Sequence, residues 1–275
     1  MTDDAHSLKI AVWQAASAPA DVEVNLAALD SAASAASSRG AELLITPEMY
    51  VTGYNIGDRV RQLAAERPLE RVRGIARRHR IGIVAGGPEA PGDPGLADAP
   101  VFNAAWLIDE QGEVLARHHK IQLFGELDRA LFVAGDAPAT IADFHGHRIA
   151  LLICFDVEFP ETVRAAARAG ADLIAVPTAQ MEPFAFVNEH LIRVRAWENG
   201  VFVAYANQHG PDGAFTYVGR SVVADPLGRH LAAAPAEGDA LLVAELDPRC
   251  RAAALTQSPY LAEVRSSLLA PGPLP

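Results

Sequence analysis

The chain of 275 residues contains only two cysteines and has no apolar run long enough to cross a bilayer. Cys154 and Cys250 are therefore expected to be free thiols, because one bridge in a large chain without an export signal is an improbable framework. The first residues, MTDDAHSLKI, are acidic and polar where a signal peptide would be basic and then apolar. The sequence predicts a cytoplasmic protein with no membrane partner.

Positive charge is also scarce, since the formal net charge is -11 and the acidic residues are spread along the chain. Such a field repels a phosphate backbone, so the sequence argues against nucleic acid as a partner. The sequence has no G-x-G-x-x-G, no P-loop and no G-x-S-x-G segment, which are the motifs of dinucleotide, nucleotide and serine-hydrolase sites. We expect no cofactor and no bound metal.

Lysine is the rarest charged residue in the chain. Of the 23 basic residues only Lys9 and Lys120 are lysines, and the remaining 21 are arginines. Arginine thus supplies nearly all of the positive charge, so a lysine in mid-chain indicates a specific need for an ammonium group. Lys9 lies near the start of a predicted strand and reads as incidental, whereas Lys120 ends the segment EVLARHHK.

Half of the residues are hydrophobic, which suffices for a large core, and they fall into alternating strand and helix patterns. This alternation predicts an α/β fold, and a hairpin turn at 109–112 adds antiparallel pairing, so that the sheet should be mixed. The predicted strands are 8–14, 42–47, 81–86, 101–109, 113–119, 148–155, 171–177, 201–207, 221–225 and 240–246, and the helices are 21–39, 69–80, 161–169 and 183–199. We expect one domain over 1–275, with a surface loop at 88–100 and a tail from about 262 that extends from the core or packs on a partner subunit.

Three predicted strands end at a reactive side chain: Glu48 after ELLITP, Lys120 after EVLARHH and Cys154 after RIALLI. Loops at strand ends converge over a rigid sheet, so these side chains can share one pocket. A thiol of ordinary pKa needs a base or a cation to become a nucleophile, and Glu48 would be that base. Attack on an amide carbonyl creates an oxyanion, which an ammonium such as Lys120 would stabilise together with the Phe155 backbone N–H.

The segments TPEMYVTGYN, HHKIQLFGELDR and CFDVEFPE, in this order, resemble the three signature segments of the nitrilase superfamily, the carbon–nitrogen hydrolases. The resemblance implies an α-β-β-α sandwich, in which two mixed β-sheets pack face to face with helices outside, and a homodimer or larger homo-oligomer. It implies a Glu48, Lys120 and Cys154 triad without a cofactor, acting on a small-molecule amide. Phe155-Asp156 after the cysteine resembles amidases, whereas nitrilases of the family typically have Trp-Glu there.

The family also has a second acid after the lysine, and both Glu126 and Asp128 are candidates for this role. Side-chain length favours Glu126, and counting back from the apolar residue at position 132 favours Asp128. Four further residues are candidates to line a substrate pocket: Tyr54, Met181, Phe184 and Trp197.

Other functions are open at this stage. An N-carbamoyl amide hydrolase or a nitrilase would use the same triad, and a non-catalytic binding protein could retain the fold. The pairs 118/119 and 145/147 are histidines, which would suit a metal-dependent hydrolase, but no further ligand stands at zinc-like spacing. A turn between two strands is the preferred interpretation of His145-Gly146-His147.

Overall fold

The computed structural model describes residues 6–91 and 99–265. It contains two six-stranded mixed sheets, each with a central group of three parallel strands flanked by antiparallel ones. The first sheet has the order β14-β1-β2-β3-β4-β5, with the bounds β1 Leu8–Gln14, β2 Leu43–Ile45, β3 Gly82–Glu89, β4 Phe102–Ile108, β5 Val114–His119 and β14 Ala240–Leu246. The second has the order β13-β12-β9-β8-β7-β6, with β6 Thr140–Phe144, β7 His147–Leu151, β8 Leu173–Thr178, β9 Phe202–Asn207, β12 Val222–Ala224 and β13 His230–Ala233.

The two sheets pack against each other because side chains alternate along each strand. In β1, Leu8, Ile10 and Val12 point into the core shared with the second sheet, whereas Ala11 and Trp13 point outward to the helices. A separate apolar layer joins the other side of the second sheet to its own helices. The layers therefore form an α-β-β-α sandwich, as the sequence predicted.

Helices cover both outer faces, and the remaining helices lie at the sandwich edges. The bounds are α1 Val22–Ser38, α2 Arg59–Ala65, α3 Pro68–His79, α4 Gly125–Leu131, α5 Pro160–Arg168, α6 Ile192–Asn199, α7 Pro248–Gln257 and α8 Tyr260–Glu263. A two-stranded hairpin, β10 His209–Asp212 and β11 Phe215–Val218, completes the described strands. None of the described helices has the length and apolar character needed to cross a bilayer.

Most predicted elements differ by a few residues from the bounds in the structure, and two of these differences bear on the site. The strand predicted over 148–155 ends at Leu151, because Asp156 folds back to accept a hydrogen bond from the Ile153 N–H and starts a 3₁₀ turn at Cys154–Glu158. The helix predicted over 183–199 begins only at Val187, in a π turn that continues into α6. Strand β3 runs into the predicted loop at 88–100, and residues 92–98 of that loop lie outside the described part, as do residues 266–275 of the predicted tail.

Gly86 in β3 lies against the loop that follows β2. A Cβ at Gly86 would stand 2.6 Å from the Pro47 carbonyl oxygen and 2.8 Å from the Met49 backbone nitrogen. Only a residue without a side chain allows the two backbones to approach this closely. Glu48 lies between those two contacts, so the packing of β3 fixes the backbone position of Glu48.

We expect Gly86→Ala to lower the free energy of unfolding by about 1–3 kcal/mol, since the added methyl group overlaps backbone atoms that cannot move aside cheaply. Urea unfolding monitored by circular dichroism measures this change. Gly74→Ala is the matched control, because Gly74 is in α3 and no heavy atom lies within 4 Å of its added Cβ. The control should gain roughly 0.5–1 kcal/mol from helix propensity. Equal effects of the two substitutions would contradict the close approach.

Candidate active site

Lys120 is the first residue after β5, and its side chain is fully buried. Its Nζ donates hydrogen bonds to Glu48 Oε1 at 2.7 Å and to Asp128 Oδ2 at 2.7 Å, and it lies 5.7 Å from the centroid of the Tyr54 ring. A compact ammonium thus holds together two carboxylates from distant parts of the chain. The expectation that the mid-chain lysine has a specific environment agrees with this geometry.

Glu48 follows β2, and its carboxylate has two differently placed oxygens. Oε1 accepts hydrogen bonds from Lys120 Nζ and from Asn103 Nδ2, each at 2.7 Å. Oε2 is buried and has no hydrogen-bond partner in the described part of the chain. Both backbone polar groups of Glu48 are also bound, the N–H to the Thr178 carbonyl at 3.2 Å and the carbonyl to Gln208 Nε2 at 3.0 Å. The side chain is rigidly held, with one oxygen available for a proton.

Of the two candidates for a second acid, the structure brings Asp128 to the lysine. Asp128 is buried in α4 and accepts hydrogen bonds from Lys120 Nζ, from the Tyr54 hydroxyl at 2.7 Å and from the Phe124 N–H at 2.9 Å. Glu126 lies in the same helix but is exposed. A short helix cannot present residues two positions apart on one face, so only one of the pair reaches the cluster.

Cys154 lies at a sharp turn between β7 and the 3₁₀ turn. Its φ of 46° is in the left-handed region, which a residue with a side chain adopts only when its surroundings impose it. Asp156 imposes it here: Oδ2 accepts from the Ile153 N–H at 3.0 Å, and Oδ1 accepts from the N–H groups of Ile121 and Gln122 at 3.1 and 2.8 Å. One carboxylate therefore ties the cysteine turn to the loop that directly follows Lys120.

The thiol itself is buried, with 6% of the residue exposed. Its Sγ lies 3.9 Å from Gln180 Oε1 and close to Thr178 and the backbone of Ala179. Burial raises the pKa of Cys154 well above its ordinary value, and the Glu48 charge raises it further, while Lys120 only partly opposes these effects. The resting group is therefore a thiol, and it needs a base before it can act as a nucleophile.

Two further pKa shifts describe the cluster. Burial and the Asp128 charge raise the pKa of Glu48, and the Lys120 ammonium lowers it. Burial is the largest of these effects, so the pKa of Glu48 lies above its ordinary value. Burial by itself would lower the pKa of Lys120, but the charges of Glu48 and Asp128 raise it well above the ordinary value. The lysine is thus a permanent cation, and the glutamate has a pKa closer to neutrality than a glutamate in water.

The predicted pocket residues occupy different places. Tyr54 and Met181 are buried in one apolar cluster beside the site, and Phe184 stands half-exposed at its rim, where its ring meets that of Phe124 at 5.8 Å. Phe155 packs on the other side of Phe124, at 5.2 Å between ring centroids. Trp197 lies apart from this group, on the outward side of α6, where its Nε1 donates to the Tyr260 hydroxyl at 3.1 Å.

The histidine pairs serve four separate contacts. His118 is buried, with Nε2 at 3.3 Å from Asp156 Oδ2, and the ring of His119 stacks on that of Phe102. His145 begins the turn between β6 and β7 and lies 3.0 Å from Glu42 Oε2, and His147 contacts the backbone of His6. Within residues 6–91 and 99–265, no group of three His, Cys, Asp or Glu side chains is placed to hold a metal ion.

Three site residues were not identified from the sequence: Asn103, Asp156 and Gln180. Asn103 is a polar residue in the otherwise apolar and buried strand β4. A buried polar side chain needs a hydrogen-bond partner, so its position within an apolar strand was the signal that could have identified Asn103. Asp156 and Gln180 directly follow apolar strands, in the same positions that drew attention to Glu48, Lys120 and Cys154.

The comparison with known proteins agrees with this geometry. Residues 9–255 match the family model described as carbon-nitrogen hydrolase. A protein of Pseudomonas protegens named hydrolase in pqqF 5'region is 38% identical over 266 residues, which cover 95% of this chain and 90% of the relative. A variant of the amidase from Nesterenkonia sp. AN1, showing covalent addition of the acetamide moiety of fluoroacetamide at the active site cysteine, is 38% identical with a TM-score of 0.85 over 98% of both chains. Another variant of that amidase, in complex with butyramide, is 39% identical with a TM-score of 0.84 over 95% of both chains.

The chain therefore belongs to the carbon-nitrogen hydrolase family. It is a hydrolase that acts on non-peptide C–N bonds, and it lies in the amidase-like branch of the nitrilase superfamily. The sandwich architecture matches that of the amidase structures, which confirms the fold predicted from the sequence.

The buried lysine gives a stability prediction. Lys120→Met keeps an unbranched side chain that is one atom shorter, but it leaves the Glu48 and Asp128 carboxylates buried without a cation. Breaking a buried ion pair in this way costs about 3–5 kcal/mol. Lys9→Met is the control, because the other lysine of the chain is only half-buried, in β1, and should change stability by less than about 1 kcal/mol. Urea unfolding measures both variants.

Lowering the pH provides a second readout of Lys120→Met. The deficit should shrink on acidification, since a proton taken up by either carboxylate replaces the lost cation. A deficit no larger than that of Lys9→Met, or one that grows on acidification, would contradict the ion cluster.

Proposed function

We propose that the protein hydrolyses a small primary amide to a carboxylic acid and ammonia through a thioester on Cys154. The observation that carries this proposal is the buried cluster in which Lys120 binds one oxygen of Glu48 and leaves the other oxygen unpartnered. The field of both groups acts on the Cys154 thiol. A base, a cation and a nucleophile are therefore gathered in one site from which water is largely excluded.

In the first half of the reaction, Glu48 takes the thiol proton and Cys154 Sγ forms a bond to the amide carbon. Negative charge then develops on the carbonyl oxygen, and Lys120 with the Phe155 N–H stabilises it, since fixed donors in a dry site are worth far more than water. The oxyanion collapses, the C–N bond breaks and the Glu48 carboxyl group gives its proton to the leaving nitrogen. Ammonia departs and the acyl group remains as a thioester.

In the second half, Glu48 accepts a proton from water, whose oxygen attacks the thioester carbon. The same cation and N–H stabilise the second oxyanion, the C–S bond breaks, and the sulfur recovers the proton from Glu48. The reaction as written uses side chains of this chain and water, and the protein returns to its starting state.

Asp128 acts on the lysine and not on the substrate in this proposal. Its carboxylate accepts hydrogen bonds from Lys120 Nζ and from the Tyr54 hydroxyl, and so fixes the position of the ammonium group. Burial raises the pKa of Tyr54 well above its ordinary value, so the phenol keeps its proton and remains a donor. Asp128 therefore keeps the ammonium charged and oriented without occupying space in front of the thiol. The contact with Lys120 and the exposure of Glu126 therefore support Asp128 as the second acid in this proposal.

An amide is favoured over a nitrile or an N-carbamoyl compound by Phe155 and Asp156 after the cysteine and by the amidases among the similar structures. A panel of amides, carbamoyl compounds and nitriles, assayed for released ammonia, separates these substrates. We also propose that the chain is a single domain over 1–275, cytoplasmic, and associated as a homodimer or larger homo-oligomer.

The two cysteines provide a direct test of the nucleophile. In Glu48→Gln protein, which lacks the base needed for hydrolysis, fluoroacetamide should alkylate Cys154 with loss of fluoride, and intact-mass and peptide mass spectrometry would detect the added acetamide group. Cys154→Ala should take up no acetamide group and release no ammonia from amides. Cys250→Ser is the matched control, because Cys250 lies in α7 beside Asp225 and Arg229 and away from the cluster. It should turn over amides like the wild type, and combined with Glu48→Gln it should still take up the acetamide group. Substantial hydrolysis by folded Cys154→Ala would overturn the thioester mechanism.

The pKa shifts predict the shape of the pH profile. Glu48 must be ionised to act as a base, and its raised pKa places the acid midpoint of kcat/KM above the ordinary glutamate value of 4.5. Cys154 and Lys120 keep their protons because both pKa values are raised, so kcat/KM should stay level to about pH 9. Stopped measurements of ammonia over this range define the profile.

Asn103→Ala sharpens this test. The Asn103 amide lowers the pKa of Glu48 by its hydrogen bond to Oε1, so its removal should move the acid midpoint to higher pH. An acid midpoint at or below 4.5 in the wild type, or one that Asn103→Ala leaves in place, would rule out Glu48 as the titrating base.

A further inference from the structure

A second carboxylate stands close to the nucleophile without a part in the chemistry described above. Glu158 ends the 3₁₀ turn that begins at Cys154, and it is half-buried. Its Oε1 accepts a hydrogen bond from Gln180 Nε2 at 3.2 Å, while Oε1 of the same Gln180 lies 3.9 Å from the thiol sulfur. One side-chain amide group therefore separates the Glu158 carboxylate from the reacting atom.

The cations whose charge reaches Glu158 are Lys120 and Arg195, and both are occupied. Lys120 is bound between Glu48 and Asp128. The guanidinium of Arg195 donates to the backbone carbonyls of Val157 and Glu158 and pairs with Glu198 at 2.9 Å. Arg195 is engaged by these partners, and in the proposed reaction the remaining N–H of Lys120 serves the substrate carbonyl oxygen. Among the described residues, neither of these two cations is thus left to pair with a carboxylate on a substrate acyl chain near Glu158.

The aromatic rim closes the same side of the site. Gln180 Nε2 also donates to the Phe184 carbonyl at 3.4 Å, and the Phe184 ring packs on Phe124, which packs on Phe155. An acyl chain directed from the thiol along these rings would meet apolar side chains, with the half-buried Glu158 one amide group away from the sulfur. Reduced contact with water strengthens the repulsion between Glu158 and a like charge beside it.

We propose that Glu158 selects substrates by charge, admitting neutral and cationic amides and rejecting amides whose acyl chain carries a carboxylate. The inference rests on the proposed amidase function and names the substrate class of that site. Glu158 reaches the thiol only through Gln180 and makes no bond to the reacting atoms, so in this proposal it determines specificity and is not a catalytic residue.

Three amides of equal chain length test the proposal. Succinamate, butyramide and β-alaninamide each have two methylene groups after the amide carbonyl, followed by a carboxylate, a methyl group or an ammonium. Burial raises the pKa of Glu158, while the Gln180 hydrogen bond and the charges of Lys120 and Arg195 partly oppose this effect. The assays are therefore run at about pH 8, which favours the ionised form of Glu158 and keeps succinamate and the amine charged. We expect kcat/KM for succinamate to be at least about tenfold below that for butyramide, and that for β-alaninamide to equal or exceed it. Equal values for all three in the wild type would overturn the proposal.

The ratio of kcat/KM for succinamate to that for butyramide, taken within each variant, isolates the charge of Glu158 from any general loss of activity. Glu158→Gln should raise this ratio at least about tenfold, because the like charge is gone while the side chain keeps its size. Glu161→Gln is the matched control, since Glu161 is exposed on α5 three residues further along and should leave the ratio unchanged. An unchanged ratio in Glu158→Gln, or an equal rise in the control, would overturn the proposal.

Binding separates this proposal from the amidase mechanism. Calorimetric titration of the three amides into Cys154→Ala protein reports the charge order without turnover. The expected order of affinity is β-alaninamide and butyramide above succinamate. If the affinities follow this order but the wild type releases no ammonia, the role of Glu158 is supported and the thioester chemistry is rejected. If the wild type releases ammonia but the affinities do not depend on charge, the thioester chemistry is supported and the role of Glu158 is rejected. Absence of both would reject both.

Discussion

A buried ammonium group is the constraint on which the rest of this site depends. A charge removed from water costs several kcal/mol unless opposite charges and hydrogen bonds replace the lost solvent. Lys120 is fully buried, so Glu48 and Asp128 must approach it from a loop after β2 and from α4. The demand to neutralise one cation therefore fixes the relative positions of three distant segments, and it does so before any substrate is present.

Cys154 is then positioned by a further carboxylate, Asp156, which binds backbone N–H groups instead of a cation. Asp156 accepts N–H groups from the cysteine turn and from the loop after Lys120, so it links the cation to the thiol through backbone contacts. The left-handed conformation of Cys154 is held against its intrinsic cost by these bonds. A preorganised site of this kind needs little rearrangement when charge develops on the substrate oxygen.

How far the sequence could predict this arrangement depends on what each residue contacts. The sequence pointed to Glu48, Lys120 and Cys154 because each is a reactive group at the end of an apolar strand. The alternation of strands and helices indicated the α/β class, and the family resemblance supplied the sandwich. The choice of Asp128 needed the rotation of a short helix, which spacing alone does not give. Trp197 was misplaced because a helix presents successive residues to different sides, and α6 turns Arg195 inward instead.

The acidic segment CFDVEFPE shows why local pattern reached only part of the answer. Its three carboxylates look alike in the sequence, yet the 3₁₀ turn and the start of α5 direct them to three different environments. Asp156 is buried and binds backbone N–H groups, Glu158 is half-buried beside the amide of Gln180, and Glu161 is exposed. Asp156 is surrounded by N–H donors and has a structural role, whereas the charge of Glu161 is screened by water. Glu158 is partly removed from water beside the amide of Gln180, so its charge acts more strongly on a neighbouring group. The three residues carry the same kind of charge, and the degree of burial gives each a different role. Asp156 supports the turn, Glu161 faces the solvent and Glu158 is the residue that we propose selects the substrate.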